Sequence, residues 1–265
     1  DANNAKATGF AASGIDLALA LLSRYLEITG DYAGVRLLPF YAVYRALVRA
    51  KVDAIAAEQS AHLVEQYTRR MLRRVRTALA YTNRPRPLLL LMHGMSGSGK
   101  SWLSEQLVAP LHAVRIRSDL ERKRLLGPST ASAGFKQGNY APQMSQRVYA
   151  RLLENAESCL QAGCNAIVDA SFLDGADREL FTSLAERMDV TCAFISCHAD
   201  PATLLQRVAK RASRGNDVSE ADQAVVNAQL RDFEPLAAGS TPIIQVDTRA
   251  ADAVDHVISS VRALR

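Results

Sequence analysis

The sequence predicts an α/β fold in which a parallel sheet carries helices on both faces and is preceded by an all-helical segment. Three observations support this prediction. Five short apolar runs alternate with stretches of helical length from residue 87 onward, a glycine-rich loop follows the first run, and residues 15–82 show no strand-like alternation. Strands that alternate with helices are joined by right-handed crossovers, and such strands lie parallel in one sheet.

The first part of the chain is predicted to form three helices. The first starts near Ile15 and ends near Gly30, because glycine commonly follows the last turn of a helix. Pro39 lies in the first turn of the second helix, where its missing amide costs no hydrogen bond. The third helix is expected over about residues 60–81.

A boundary is predicted where the helical pattern stops. Residues 82–87 read TNRPRP, and their two prolines remove backbone donors and end helix propagation. We therefore expect a helical segment at 1–82, a linker at 83–87 and an α/β domain at 88–265.

The α/β domain is predicted to contain five strands with helices between them. The strands are expected at residues 87–93, 112–118, 164–169, 190–197 and 241–247. The helices are expected near residues 100–109, 142–162, 175–188, 201–212 and 219–232. This pattern is typical of sheets that bind ligands at the carboxyl ends of their strands.

Composition is that of an ordinary globular protein of 265 residues, with 48% hydrophobic and 22% charged side chains. No run of about 18 apolar residues is present, and the start of the chain lacks the pattern of a secretory signal. We therefore expect a cytoplasmic protein with no membrane partner. The four cysteines have no CxxC spacing and are interpreted as reduced core thiols.

The net charge of +5 comes from the first part of the chain, where residues 1–88 hold 13 of the 32 basic and 7 of the 27 acidic groups. A basic cluster at helical spacing contributes most of it: Arg69, Arg70, Arg73, Arg74 and Arg76. Such a face is suited to binding nucleic acid or a membrane surface, but no aromatic side chains lie between the arginines to stack on bases. A solvated face, or one that contacts an acidic neighbouring domain, is the favoured interpretation.

The loop behind the first strand carries the clearest chemical signal. Gly94 to Ser101 read GMSGSGKS and match GxxxxGK[ST] between a predicted strand and a predicted helix. Glycines let backbone amides turn toward phosphate oxygens, and the positive end of the next helix points to the same place. Lys100 adds a cation beside the transferred group, and Ser101 is a ligand for magnesium. The predicted nucleotide contacts are Gly94, Ser96, Gly97, Ser98, Gly99, Lys100, Ser101 and Trp102, with ATP and Mg²⁺ as cofactors.

Two carboxylates follow predicted strands. Asp169 ends an apolar run and fits the role of holding magnesium through water, whereas Asp119 is placed to accept the proton of an acceptor hydroxyl. Either aspartate is also a good helix N-cap, so that alternative stays open.

Basic side chains complete the predicted site. Arg122 lies one turn after Asp119 and is expected to contact the acceptor. Arg207, Arg211 and Arg214 recur at helical steps and are expected to form a lid over the triphosphate, unless they are simply a solvated basic face. Residues 131–143 resemble either a substrate loop, with Lys136, Asn139 and Tyr140 as acceptor contacts, or an ordinary surface loop.

Five stretches together resemble a known group: GMSGSGKS, IRSDLERKRL, YARLLENAESCLQAGCNAIVDASF, RVAKRASRGNDVSEAD and FEPL. They are similar to the small P-loop kinases of the polynucleotide kinase, gluconate kinase and zeta-toxin type, whose ATP-binding domain is AAA-like, over about residues 88–250. The resemblance implies strand order 2-3-1-4-5 and magnesium-ATP as cofactor. It also implies that Asp119 is the base, that Arg122 grips the acceptor, and that the lid arginines lie at 207–214.

The stretch from Tyr25 to Ile55 is similar to the last helices of the aminoglycoside phosphotransferase-like fold, found in bifunctional proteins where such a domain precedes an ATP-binding kinase domain. The nucleotide lobe and HxD catalytic loop of that fold are absent from this sequence. The resemblance therefore implies a helical remnant without chemistry of its own, and an upstream domain missing from the chain.

Three functions are consistent with these residues. The leading hypothesis is an ATP-dependent kinase that phosphorylates a hydroxyl of a small molecule. The second is a 5′-hydroxyl polynucleotide kinase, and the third is a non-catalytic nucleotide-sensing module that regulates an upstream domain.

Overall fold

The computed structural model describes residues 14–127, 142–214, 223–231, 235–236 and 239–264. Within these ranges the side chains of residues 14–16, 211–214 and 223–224 are not described.

The three predicted N-terminal helices are present. They are α1 (Gly14–Thr29), α2 (Leu38–Gln59) and α3 (Val64–Thr82), with short 3-10 helices at Ala33–Leu37 and Ala61–Leu63. Pro39 lies at the start of α2, as expected. Asp53 of α2 forms ion pairs with Arg70 and Arg74 of α3, which joins the two helices.

The five predicted strands are present to within two residues of their expected bounds: β1 (Leu88–His93), β2 (Ala113–Arg117), β3 (Asn165–Asp169), β4 (Thr191–His198) and β5 (Ile243–Asp247). The helices between and after them are α4 (Lys100–Val108), α5 (Ser118–Leu126), α6 (Pro142–Gln161), α7 (Gly175–Met188), α8 (Pro201–Arg214), α9 (Gln223–Arg231) and α10 (Ala253–Ala263). Helices α5 and α10 were not among the helices expected from the sequence. None of the described helices has both the length and the hydropathy needed to cross a bilayer.

The sheet has strand order β2-β3-β1-β4-β5, and every neighbouring pair is parallel. The α/β fold class and the strand order are therefore confirmed. The register aligns Asp169 with Met92 on one side and with Arg117 on the other. The ends of β1, β2 and β3 thus meet at one edge of the sheet, which is where ligands bind in open parallel sheets.

Two cores form on the two faces of the sheet because successive side chains of a strand point in opposite directions. Leu89 and Leu91 of β1 face a core built with α1, α6 and α7. Leu88, Leu90 and Met92 face a second core built with α4 and α10. The central strand is therefore apolar along its whole length, as a strand covered on both faces must be.

Part of the N-terminal helical segment belongs to the first of these cores. Leu26, Tyr32 and Val35 are fully or almost fully buried and pack with residues of β1, β2 and α6. The Tyr32 hydroxyl donates a hydrogen bond to the Arg115 carbonyl at 3.2 Å. The end of α1 and the turn after it therefore complete the covering of this face of the sheet.

Candidate active site

The glycine-rich loop turns sharply between β1 and α4. Gly94, Gly97 and Gly99 have φ angles of 133°, 85° and 93°, which favour glycine over other residues. A Cβ on Gly94 would lie 2.3 Å from the Cys197 carbonyl oxygen, so any side chain there would clash with β4. The spacing of glycines in the sequence therefore follows from backbone geometry and close packing.

Lys100 begins α4 and folds back over the loop. Its Nζ donates a hydrogen bond to the Met95 carbonyl at 2.8 Å. The Ser96 amide, which belongs to the same peptide unit, donates to Gln229 Oε1 at 2.8 Å. That peptide is thus held at both edges, by the lysine of the loop and by a side chain of α9.

Two side chains from later elements donate hydrogen bonds to carbonyls of the loop. Thr248, just after β5, donates from its hydroxyl to the Ser98 carbonyl at 2.7 Å. Arg207 of α8 donates to the Gly97 carbonyl at 3.2 Å and to Thr248 Oγ1 at 3.0 Å. The loop amides of Gly94 and Ser98 also donate within the protein, to the Ser171 and Met95 carbonyls at 3.1 Å each, so contacts from several elements fix the path of the loop.

A second group of polar side chains surrounds Asp169 at the end of β3. Ser101 Oγ lies 3.2 Å from Asp169 Oδ1, and Ser104 Oγ lies 3.2 Å from Asp169 Oδ2. Arg117 approaches the same carboxylate at 3.8 Å. The structure therefore brings together the two residues predicted to bind magnesium.

Burial is the dominant electrostatic influence on Asp169 and raises the pKa of its carboxyl group. Lys100, Arg117 and Arg115 oppose this shift by favouring the charged form. The donor set of a carboxylate and a hydroxyl is of the hard-oxygen type that Mg²⁺ prefers, so Ser101 and Asp169 fit that ion.

His93 at the end of β1 is buried, and its Nδ1 lies 3.2 Å from Ser196 Oγ. Burial, with Arg178 and Lys100 as further causes, lowers the pKa of His93 to about 4. The imidazole is therefore neutral at pH 7.

Asp119 lies half-buried in the first turn of α5, two residues after Arg117. Since Arg117 is in register with Asp169, Asp119 follows the end of the strand beside the predicted metal ligands. Arg122 is also half-buried and interacts electrostatically with Tyr149 of α6. Tyr149 in turn lies 3.4 Å from Ser171 Oγ and accepts the Phe172 amide at 3.0 Å, in the loop after β3.

Some predicted residues are less well placed or fall outside the described ranges. Trp102 is on α4 and is 48% exposed. Arg211 and Arg214 lie on the backbone of α8, but their side chains are outside the described residues. Lys136, Asn139 and Tyr140 are outside the described part of the chain altogether.

Sequence reasoning missed several residues that contact the site. Thr248 follows the carboxyl end of β5, so the rule that placed Asp119 and Asp169 could also have found it. Ser104 lies one turn after Ser101 on α4, and that spacing was a usable signal. Gln229 gave no signal, because a single amide on an amphipathic helix has no distinguishing pattern.

This sheet order and loop define a P-loop fold of the kinase type. Residues 89–236 match the family described as an AAA domain, and the chain belongs to that family. A shikimate kinase of Zymomonas mobilis is 32% identical over 153 residues, which are 56% of this chain and 79% of that protein.

Two further relatives differ in what they cover. An uncharacterised protein of Mycobacterium tuberculosis is 28% identical over 222 residues, which make up 83% of this chain. Those residues are 44% of that protein, so the chain spans under half the length of this relative. A kinase-like protein of Chloroflexus aurantiacus has a crystal structure that superposes with a TM-score of 0.54 at 21% identity, covering 68% of this chain and all of that one. That likeness concerns the fold alone.

Proposed function

We propose that this protein is an ATP-dependent kinase that transfers the γ-phosphoryl group to a hydroxyl of a small molecule. The observation that carries the proposal is the 3.2 Å contact between Asp169, at the end of β3, and Ser101, which lies next to Lys100 at the start of α4. The two residues proposed to hold a metal ion and the cation of Lys100 thus lie close together at the end of the loop, and phosphoryl transfer requires such an arrangement.

The loop residues bind and orient the nucleotide in this proposal. Amides between Gly94 and Ser101 surround the phosphates, and Lys100 exchanges its contact with the Met95 carbonyl for a phosphate oxygen. Ser101 and Asp169 would hold Mg²⁺, which neutralises charge on the phosphate oxygens when bound. The predicted lid of Arg207, Arg211 and Arg214 closes over the triphosphate and excludes water; Arg207 would have to exchange its contacts with the Gly97 carbonyl and Thr248 to take part.

Asp119 acts as the base, and Arg122 holds the acceptor. The acceptor hydroxyl oxygen forms a bond to the γ-phosphorus while the bond from that phosphorus to the bridging oxygen of ADP breaks. The hydroxyl proton passes to the Asp119 carboxylate, and ADP leaves with the electron pair of the broken bond. Lys100 stabilises the charge that develops on the transferred group.

The relative from Zymomonas mobilis suggests where a search for the acceptor should start. That protein is a shikimate kinase, and shikimate is a cyclic polyol with a carboxylate. Arg122 can bind a carboxylate through two parallel hydrogen bonds. Shikimate, gluconate and related hydroxy acids therefore head the panel of acceptors.

Transfer of label from γ-labelled ATP to this panel tests the proposal. Once an acceptor is found, Asp119→Asn should lower kcat by about 10²-fold or more, because proton transfer by a positioned base contributes that much. Asp189→Asn is the matched control, since Asp189 follows α7 at the opposite edge of the sheet. Equal transfer rates for Asp119→Asn and the parent would refute the assignment of the base.

The other two functions are outcomes of the same assay. The arginines of α3 are partly neutralised, since Arg70 and Arg74 pair with Asp53 and Arg69 pairs with Glu65, so the structure does not favour nucleic acid as acceptor. Label on a 5′-hydroxyl oligonucleotide would reverse that choice. Tight ATP binding without transfer to any acceptor would support the nucleotide-sensing module.

We also propose that residues 1–82 are the remnant of a phosphotransferase-like lobe, joined by a linker at 83–87 to the kinase domain at 88–265. Support comes from the greater length of the Mycobacterium relative and from exposed apolar side chains on α1 and α2, including Leu17, Leu21 and Phe40. Hydrogen exchange of these helices, with and without a preceding phosphotransferase-like domain, tests the proposal. Protection by that domain is expected, and unchanged exchange would contradict it.

A further inference from the structure

One carboxylate of the N-terminal helices reaches the magnesium side of the candidate site through a buried arginine. Glu27, near the end of α1, accepts a hydrogen bond from Arg115 Nη2 at 2.9 Å. The two side chains are only 13% and 8% exposed. An ion pair so well shielded from water interacts strongly, and loss of either partner leaves an uncompensated charge.

The other side of the same guanidinium contacts α4. Arg115 Nη1 donates to the Ser101 carbonyl at 3.0 Å and lies 3.5 Å from Ser104 Oγ. Ser104 in turn contacts Asp169 Oδ2. A continuous set of polar contacts therefore runs from Glu27 to both residues proposed to hold Mg²⁺.

The positive charges around Asp169 explain why the negative charge of Glu27 affects metal binding. Lys100, Arg117 and Arg115 all act electrostatically on that carboxylate. A divalent cation adds two positive charges to this group of three, so each negative charge that offsets them favours metal binding. Glu105 also approaches Arg115, at 3.8 Å, but it is 66% exposed and its charge is screened by water.

We propose that Glu27 is a positioning residue for the magnesium-nucleotide site, acting by neutralising Arg115 and holding it against α4. The inference rests on the proposed function only in requiring that the loop binds a magnesium-nucleotide. Helix α1 is then part of the site. A movement of the N-terminal helices would therefore change the affinity of the loop for metal and nucleotide.

Loss of the Glu27 charge has opposite effects on two ligands. With Glu27→Gln the site gains a net positive charge, which attracts the polyanionic nucleotide in the absence of metal and repels the divalent cation. ADP in EDTA should bind roughly three- to ten-fold more tightly, and the gain in ADP affinity on adding Mg²⁺ should shrink by a similar factor. A purely structural defect would instead weaken ADP binding in EDTA and in Mg²⁺ alike.

Calorimetric titration of the folded protein with ADP, in EDTA and in Mg²⁺, measures both effects without turnover. Glu105→Gln is the matched control, since it makes the same charge change beside the same guanidinium in a solvated position, and it should change neither affinity by more than about two-fold. The double variant Glu27→Gln/Arg115→Gln removes both charges and should restore the parent's response to Mg²⁺.

The outcomes separate this inference from the proposed function. A parent that binds no ADP under either condition contradicts the proposed function and removes the basis of the inference. ADP binding by the parent, with equal losses of affinity in EDTA and Mg²⁺ for Glu27→Gln, contradicts the inference alone. If Glu27→Gln does not fold, as shown by circular dichroism, the double variant decides: a response to Mg²⁺ unlike the parent's overturns the proposal.

Discussion

At the scale of single residues, the phosphate-binding loop depends on side chains far from it in sequence. Arg207 and Thr248 occupy the Gly97 and Ser98 carbonyls, and Gln229 holds the Ser96 amide. The motif predicted which backbone would bind phosphate. It gave no information on what fixes that backbone, because the supporting contacts come from elements that only the sheet brings near.

Thr248 provides the first test of this support. Thr248→Val keeps the shape of the side chain but leaves the buried Ser98 carbonyl without its donor, at a cost of about 1–3 kcal/mol of unfolding free energy. Nucleotide affinity should fall with it, as measured by calorimetry. Thr182→Val, which removes a hydroxyl bonded within its own helix, is the control and should leave affinity unchanged.

Alanine substitutions at Gly97 and Gly127 distinguish the cost of steric contact from the cost of backbone strain. Gly97→Ala places a Cβ 2.8 Å from the Leu204 carbonyl oxygen at a positive φ, so α8 must move away from the loop. Gly127 has a similar φ of 75° and, among the described residues, no atom within 4 Å of a Cβ, so Gly127→Ala introduces backbone strain without that contact. Chemical denaturation should show a loss of about 1–3 kcal/mol for Gly97→Ala, beyond that for Gly127→Ala. Equal losses would show that packing against α8 is unimportant.

His93 makes stability depend on pH. Its pKa is lowered to about 4 in the folded protein, against about 6.5 in an unfolded chain. Between these values the unfolded state binds more protons, so the free energy of unfolding falls as the pH is lowered from 6.5 toward 4. His93→Gln should make this fall shallower in denaturation at pH 7 and pH 5. His256→Gln, which replaces an exposed histidine, is the control variant.

At the scale of elements, local pattern decided how much could be predicted. The strands are short apolar runs that helical lengths separate, so all five were found from periodicity. The strand order depends on which strands pair in the sheet, and periodicity does not reveal pairing. The order was therefore predicted only from the resemblance to P-loop kinases. Helix α10 was missed although Val254, Val257, Ile258 and Val261 have helical spacing, because no strand follows it to mark it as a crossover helix.

Helix α1 shows the limit of such reasoning. Its pattern predicts a helix correctly but does not reveal what covers each face, since apolar residues lie all around it. Leu26 is completely buried in the core beside the sheet, whereas Leu21 on the same helix is 71% exposed. Only tertiary contacts distinguish the two.

Leu26 and Leu21 provide a test of the packing of α1 on the sheet. Leu26→Ala should lower the free energy of unfolding by about 2–5 kcal/mol through lost burial and a residual cavity. Leu21→Ala should change it by less than about 0.5 kcal/mol. Denaturant titrations of both variants make the comparison. Similar effects for the two would contradict the packing of α1 on the sheet.

At the scale of the whole molecule, the two edges of the sheet differ in character. The phosphate-binding loop, Asp119 and Asp169 gather at the carboxyl edge. A cavity of about 980 Å³ lies at the other edge, between α1, α2 and residues that precede β2 and β3, among them Leu111 and Cys164. None of the residues that line it belongs to the loop from Gly94 to Ser101, so it is separate from the proposed nucleotide site. The chemistry proposed here therefore belongs entirely to the carboxyl edge.

The most direct test of the account is whether the loop from Gly94 to Ser101 binds a nucleotide through Lys100. Calorimetric titration with ADP and a non-hydrolysable ATP analogue in Mg²⁺ should give saturable binding at one site for the parent. Lys100→Ala should weaken the analogue by about 10-fold or more, since a charge-assisted bond to phosphate is worth at least about 1.5 kcal/mol. Absence of heat for the parent, or identical binding by Lys100→Ala, would contradict the account.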